Sequence, residues 1–200
     1  MASETAPGAA YEALLALCQR RRSVRRFHPD PVPEETVARI LEVARTSPYA
    51  AGKKSWSVKV VRDPSVLEAM AMAVRRRVEL LLPKVREEFR EGFGAYAQNF
   101  VAFSSAPLVL VPVFRVSPAL SLALALDAPD PDIAVWERDA YLESIACVTM
   151  LVLLAAESQG LGACFMTGPL IAREELRRIV GVPGGWEIGA VVPIGFKHET

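Results

Sequence analysis

Five arginines, Arg20, Arg21, Arg22, Arg25 and Arg26, surround Ser23 in a chain whose 23 basic and 23 acidic residues otherwise cancel. Alternate side chains of an extended segment share a side. Arg21, Ser23 and Arg25 would then turn two guanidiniums and a hydroxyl toward one point, a donor set that suits the oxygens of a phosphate. A solvated, basic helix end gives the same run of letters. A second cluster, SPYAAGKKSW over 47–56, combines small side chains at Ala50 and Ala51 with a pliable Gly52, so that a flat ligand can approach the backbone. Lys53 and Lys54 add charge that would stabilise a planar cofactor turned anionic by reduction, although an exposed turn with two lysines reads the same way.

The segment GLGACFMTG at 160–168 invites a dinucleotide-fingerprint reading and fails it. Phe165 stands where the third glycine belongs, and the motif follows a helix instead of a strand. A helix stop accounts for Gly160. It leaves Thr167-Gly168, where the missing Cβ of Gly168 would let backbone N–H groups come close to a ligand. Nucleophilic and metal chemistry have little to stand on: His28 and His198 fall in a proline-rich connector and near the end, and no GxSxG or paired carboxylates accompany them. Cys18, Cys147 and Cys164 have no CxxC spacing, which predicts reduced core thiols with no disulfide framework or zinc. Tyr49, Trp56, Phe165 and Trp186 could line an apolar pocket or fill the core.

These residues need elements to hold them. The pattern predicts a short helix over 11–19, a connector with Pro29, Pro31 and Pro33, and a helix that opens at Pro33 with Glu34 and Glu35 and stops near Ser47-Pro48. A β-branched run predicts a strand over 57–61. Residues 66–89 read as two packed helices broken at Pro83, and 107–114 as a strand that Pro112 consigns to an edge or a bulge. The stretch 117–131 is either a short helix or a loop lid. The longest helical pattern, 136–158, is apolar almost all round and therefore central, with Gly160 ending it. A short strand at ACFM, a helix over 172–180 and a strand over 188–194 complete the chain.

At 200 residues, 52% of them apolar, the chain can fill one sizeable core, so disorder is excluded as the dominant state. Balanced charge gives no field to draw it onto nucleic acid or an anionic membrane. The first ten residues lack the features of a secretory signal, and the longest apolar run, 145–156, is shorter than the roughly 20 residues of a membrane span. A soluble, cytoplasmic α/β or α+β domain over 11–200, behind a flexible tail of 1–10, is the expectation.

Taken together, RRSVRRF at 21–27, VPEETVARILEVARTSP at 32–48, Trp56 before a β-branched strand, AAESQGLGACFMTG at 155–168 and a closing VVPIGF resemble the FMN-dependent nitroreductase family in order and spacing. The resemblance implies an α+β fold with a mainly antiparallel sheet covered by helices, and a homodimer with FMN at the subunit interface. It also implies ping-pong electron transfer from NADH or NADPH to a nitroaromatic, quinone or similar acceptor. Under it, Arg21, Arg22, Ser23 and Arg25 hold the FMN phosphate and reach the pyrimidine edge. Thr167 and Gly168 bring a backbone N–H to flavin N5, Met166 beside them also contacts the cofactor, and no side chain is catalytic in its own right. Pro48, Tyr49, Ala50, Gly52 and Lys54 occupy the family's flavin loop, but Tyr49, Gly52, Lys54 and Ser55 replace its usual serine, asparagine and glutamine. Lys197 is the nearby substitute for a basic residue that many members return to the phosphate. The altered loop motivates an alternative function, a flavin-binding or scaffold dimer with little turnover.

Overall fold

The computed structural model describes residues 7–50, 55–124 and 130–198. Its elements run α1 (Pro7–Arg20), α2 (Glu34–Ala44), β1 (Trp56–Val61), α3 (Pro64–Leu81), α4 (Glu87–Ala97), β2 (Leu108–Arg115), α5 (Ala119–Ala123), α6 (Pro131–Ser158), β3 (Leu161–Ala163), α7 (Arg173–Val180), β4 (Trp186–Ile188) and β5 (Val192–Phe196). Short 3-10 turns cover Leu82–Lys84, Gln98–Ser105 and Gly168–Ala172. The fold is α+β: every pairing within the five-stranded sheet is antiparallel, in the order β1-β2-β5-β3, with β4 also on β2.

The period of two in β2 divides the core. Val109, Val111 and Val113 face one layer with α3 and α7, while Leu108, Leu110 and Phe114 face the other with α2 and α6. Helices cover both faces, which is why β2 reads as a continuous apolar run instead of an alternating one. α6 is capped by Asp130, whose carboxylate accepts from the N–H groups of Asp132 and Ile133, and it ends before Gly160 at φ +77°. By length and composition this helix could cross a membrane, and 44% of its most apolar window is buried inside the fold. It packs against α2, β2 and β3.

Several expectations need correction. α1 begins at Pro7, so the last four residues of the expected tail are helical. Pro112 is not at an edge, since it lies on a central strand paired with Val58 of β1, but the bulge is there: 189–191 set three residues against the two at 111–112. The other side of Pro112 faces the gap between β5, which pairs with Leu108–Leu110, and β4, which pairs with Val113–Arg115. A strand residue points its N–H and C=O the same way, and the Pro112 carbonyl accepts from Gly189 at 2.9 Å, so the missing donor faces that gap. The run at 188–194 is for this reason two strands and not one. The short strand expected at 163–166 is shifted to Leu161–Ala163, with Met166 bridging Val191 alone. Of the three thiols only Cys164 is in the core; Cys18 and Cys147 are exposed.

Candidate functional site

The connector after α1 runs along the sheet edge beside β3. Ser23 bridges Ala163, the Val24 N–H donates to the Ala163 carbonyl at 3.1 Å, and His28 donates to Phe196 at 3.0 Å. Val24 turns inward onto Gly162, where a Cβ would lie 2.8 Å from it, so Ser23 and Arg25 on either side face outward. Three of the five arginines, Arg21, Arg25 and Arg26, make no side-chain hydrogen bond or ion pair among the described residues. Arg22 folds back onto the carbonyls of Gln19 and Arg21, and Arg20 leans toward Glu157. Unneutralised guanidiniums on a rigid edge are the electrostatic part of an anion site.

Arg25 opens into a cleft of about 230 Å³ lined by Tyr96, Asn99, Phe100, Phe165, Met166, Thr167, Gly168 and Pro169. Met166 is pinned to Val191 by two backbone hydrogen bonds, 3.1 and 3.0 Å, which fixes the segment that follows. Thr167 precedes the 3-10 turn and Gly168 opens it, so their N–H groups have no helical acceptor, and among the described residues neither donates elsewhere. A Cβ on Gly168 would fall 2.3 Å from the Phe100 ring. The glycine is required here by that close approach, a reason beyond the ligand access its sequence suggests.

The expected loop residues lie apart from this cleft. Tyr49 packs on Trp56 and on Tyr141 of α6, with centroids 6.4 and 5.9 Å away, and the Ala50 N–H donates to the Ser144 hydroxyl at 3.0 Å. Burial pushes the Tyr49 phenol up to about 12, against the weaker effect of its contact with Ser55. Ser55 Oγ and Trp56 Nε1, where the loop enters β1, are buried without a partner among the described residues. Gly52, Lys53 and Lys54 lie outside the described residues.

Arg25, Met166, Thr167 and Gly168 thus share one cleft, and Arg21, Arg22 and Ser23 precede Arg25 along the same edge. Pro48, Tyr49 and Ala50 are held beside α6 instead, and Lys197 is engaged by Glu157. Tyr96 on α4 and Asn99 in the 3-10 turn after it were not legible as site residues, since nothing in this stretch distinguishes them from an ordinary surface segment. Trp186 sits at the edge of the core, whereas Phe165 does line the cleft. Among the described residues no His, Cys, Asp and Glu cluster could hold a metal.

The model of the nitroreductase family matches residues 18–196. The chain belongs to the nitroreductase family. A relative from Thermus thermophilus called NADH dehydrogenase is 29% identical over 181 residues, covering 90% of this chain and 84% of its own. A BluB-like flavoprotein from Clostridium difficile has the same fold at a TM-score of 0.82 and 22% identity, over 94% of this chain and 91% of its own. A nitroreductase with bound FMN from Desulfitobacterium hafniense superposes at a TM-score of 0.70 and 20% identity, over 94% of this chain and 90% of its own. The arginine edge and the Thr167-Gly168 segment both fall inside the matched nitroreductase region.

Proposed function

We propose that this chain is an FMN-dependent oxidoreductase that passes electrons from NADH or NADPH to a nitroaromatic, quinone or similar small acceptor by a ping-pong mechanism. One observation carries the reading: an unpaired guanidinium, Arg25, and two backbone N–H groups without acceptors, at Thr167 and Gly168, share one cleft on a family fold. When bound, FMN supplies the redox chemistry, taking hydride at N5 and releasing electrons to the acceptor.

The residues would act as follows. Arg21, Arg22, Ser23 and Arg25 hold the phosphate and the pyrimidine edge with charge-assisted bonds. The Thr167 and Gly168 N–H groups offer donors that do not titrate, so their contact is the same at every working pH. Phe100 and Phe165 give the cleft apolar surface against which a flat ring can pack, beside the polar groups of Arg25, Asn99 and Thr167.

A cleft of 230 Å³ is below the roughly 300–1,000 Å³ of small-molecule sites. A second copy would complete it, bringing Pro48, Tyr49, Ala50 and the adjoining Gly52 and Lys54 across a homodimer interface. Apolar side chains left exposed on α1 and α6, namely Tyr11, Leu14, Val135, Trp136 and Met150, support that interface.

The test is the absorption spectrum of the purified protein before and after anaerobic NADH or NADPH. An oxidised flavin spectrum that bleaches on addition is the expected result. Protein that is colourless and takes up no FMN overturns the reading, and flavin that is bound but never bleaches leaves the scaffold alternative in its place.

A further inference from the structure

Helix α3 has two apolar stripes where a surface helix needs one. Leu67, Met70, Ala71 and Val74 are buried in the core. Ala69, Met72, Ala73, Arg76 and Leu80 recur at spacings of three and four on a neighbouring face. They form one wall of a second cavity, of about 310 Å³, closed on its other side by Glu175, Arg178 and Ile179 of α7. None of these residues lines the Arg25 cleft. Met72 and Leu80 are 52% and 57% exposed, so this wall leaves apolar surface in water that the core does not use.

The rim is cationic. Arg75 is neutralised by Glu68 at 2.8 Å, but its neighbours Arg76 and Arg77 have no hydrogen bond or ion pair among the described residues. Arg178 approaches Glu175 at 3.8 Å, so the groove sets three guanidiniums against one carboxylate. A molecule with an apolar body for the floor and an anionic end for Arg76 and Arg77 would satisfy both parts at once. The concave shape and a volume near the lower end of small-molecule sites, roughly 300 Å³, favour a free ligand over a bilayer surface or a large partner. Glu175 at the rim disfavours a phosphate dianion more than a carboxylate.

We propose that the groove between α3 and α7 binds a free, medium-chain apolar carboxylate, at a site separate from the Arg25 cleft. Isothermal titration of the purified protein with sodium decanoate below its micelle-forming concentration tests this. The expected result is saturable binding of one decanoate per chain. Affinity should fall by about ten-fold or more in the double variant Arg76→Gln/Arg77→Gln, in which charge-assisted bonds are lost. Ala73→Phe, which fills the floor, should abolish binding. The arginine variant changes only exposed side chains, so an unchanged melting temperature separates loss of the site from loss of the fold. Decanol binding as tightly as decanoate overturns the proposal. So does equal decanoate affinity in the arginine variant, or association with anionic phospholipid vesicles without saturable decanoate binding.

Discussion

The Nζ of Lys197 lies 2.8 Å from both carboxylate oxygens of Glu157, tying the residue after β5 to the last turn of α6. Glu157 is 6% exposed, and its other cation is Arg20 at 3.9 Å. A buried carboxylate stripped of its partner is costly, so Lys197 is held to structure and is not free for a phosphate. Lys197→Ala should lower stability by about 1–3 kcal/mol, less than for a fully buried pair because the lysine is half-exposed and Arg20 remains. Urea denaturation checks this against a flavin titration in which affinity stays nearly constant. Unchanged stability with weakened FMN binding would make Lys197 a phosphate ligand.

Arg25→Ala should weaken FMN binding by roughly ten-fold to over a hundred-fold, the equivalent of one charge-assisted bond of about 1.5–3 kcal/mol. Arg20→Ala should matter much less, because Arg20 leans toward Glu157 and not toward the cleft. Quenching of FMN fluorescence by each protein measures both constants. Equal affinity in wild type and Arg25→Ala would reduce the arginine run to a solvated edge.

Local chemistry was legible in the sequence wherever neighbours along the chain decide it. Glu34 and Glu35 open α2, Pro83 breaks the pair of helices around it, and Gly160 ends α6. The arginine edge was legible too, because Val24 alternates between Ser23 and Arg25. What distant residues decide was hidden. The division of β4 from β5 depends on the gap opposite Pro112, the need for glycine at 168 depends on Phe100, and the fate of Lys197 depends on Glu157. Pro112 alone signals an irregularity in its own strand, but which strands divide opposite it, like the other two, arises from the packing of segments that are remote in sequence.

The exposed stripe of α6 yields an oligomeric prediction. Met150 is 42% exposed on a helix whose other faces are in the core, and water is a poor neighbour for it and for Trp136. Sedimentation at micromolar concentration should give a dimer for wild type and a monomer for Met150→Glu, with FMN lost in step. Wild type that is monomeric while holding FMN would remove the shared site.

Gly168→Ala puts a methyl 2.3 Å from Cδ1 and 2.7 Å from Cε1 of Phe100. Phe100 is buried and stacked edge-on against Tyr96, so it cannot simply turn away. Overpacking of this kind costs about 1–3 kcal/mol. Gly168→Ala should therefore lower the thermal midpoint, and Gly168→Ala/Phe100→Leu should recover part of the loss. No recovery in the double variant would mean that the clash lies in the backbone and not in the ring.

Glu137 is a buried carboxylate on α6 that fastens the start of α5. It accepts from Ser121 Oγ at 2.6 Å, the Leu120 N–H at 2.7 Å and the Ser121 N–H at 3.2 Å. The Ser121 hydroxyl above all, with the two backbone donors, holds the acid below the ordinary glutamate range despite burial, which acts the other way. Because the folded pKa is depressed, the stability it contributes is full above the unfolded value of about 4.3 and is lost as pH falls through the folded value. Glu137→Gln should thus be less stable than wild type at neutral pH, and the gap should shrink below about pH 4. Asp63, lowered by its hydrogen bonds from Ser65, titrates in the same direction in both proteins and cancels in the difference. Urea midpoints measured for both proteins across this window provide the check, with hydrogen exchange at the Leu120 and Ser121 amides locating the change in α5. Parallel pH profiles, or exchange that rises elsewhere first, would mean that Glu137 does not act as the fastening of this segment.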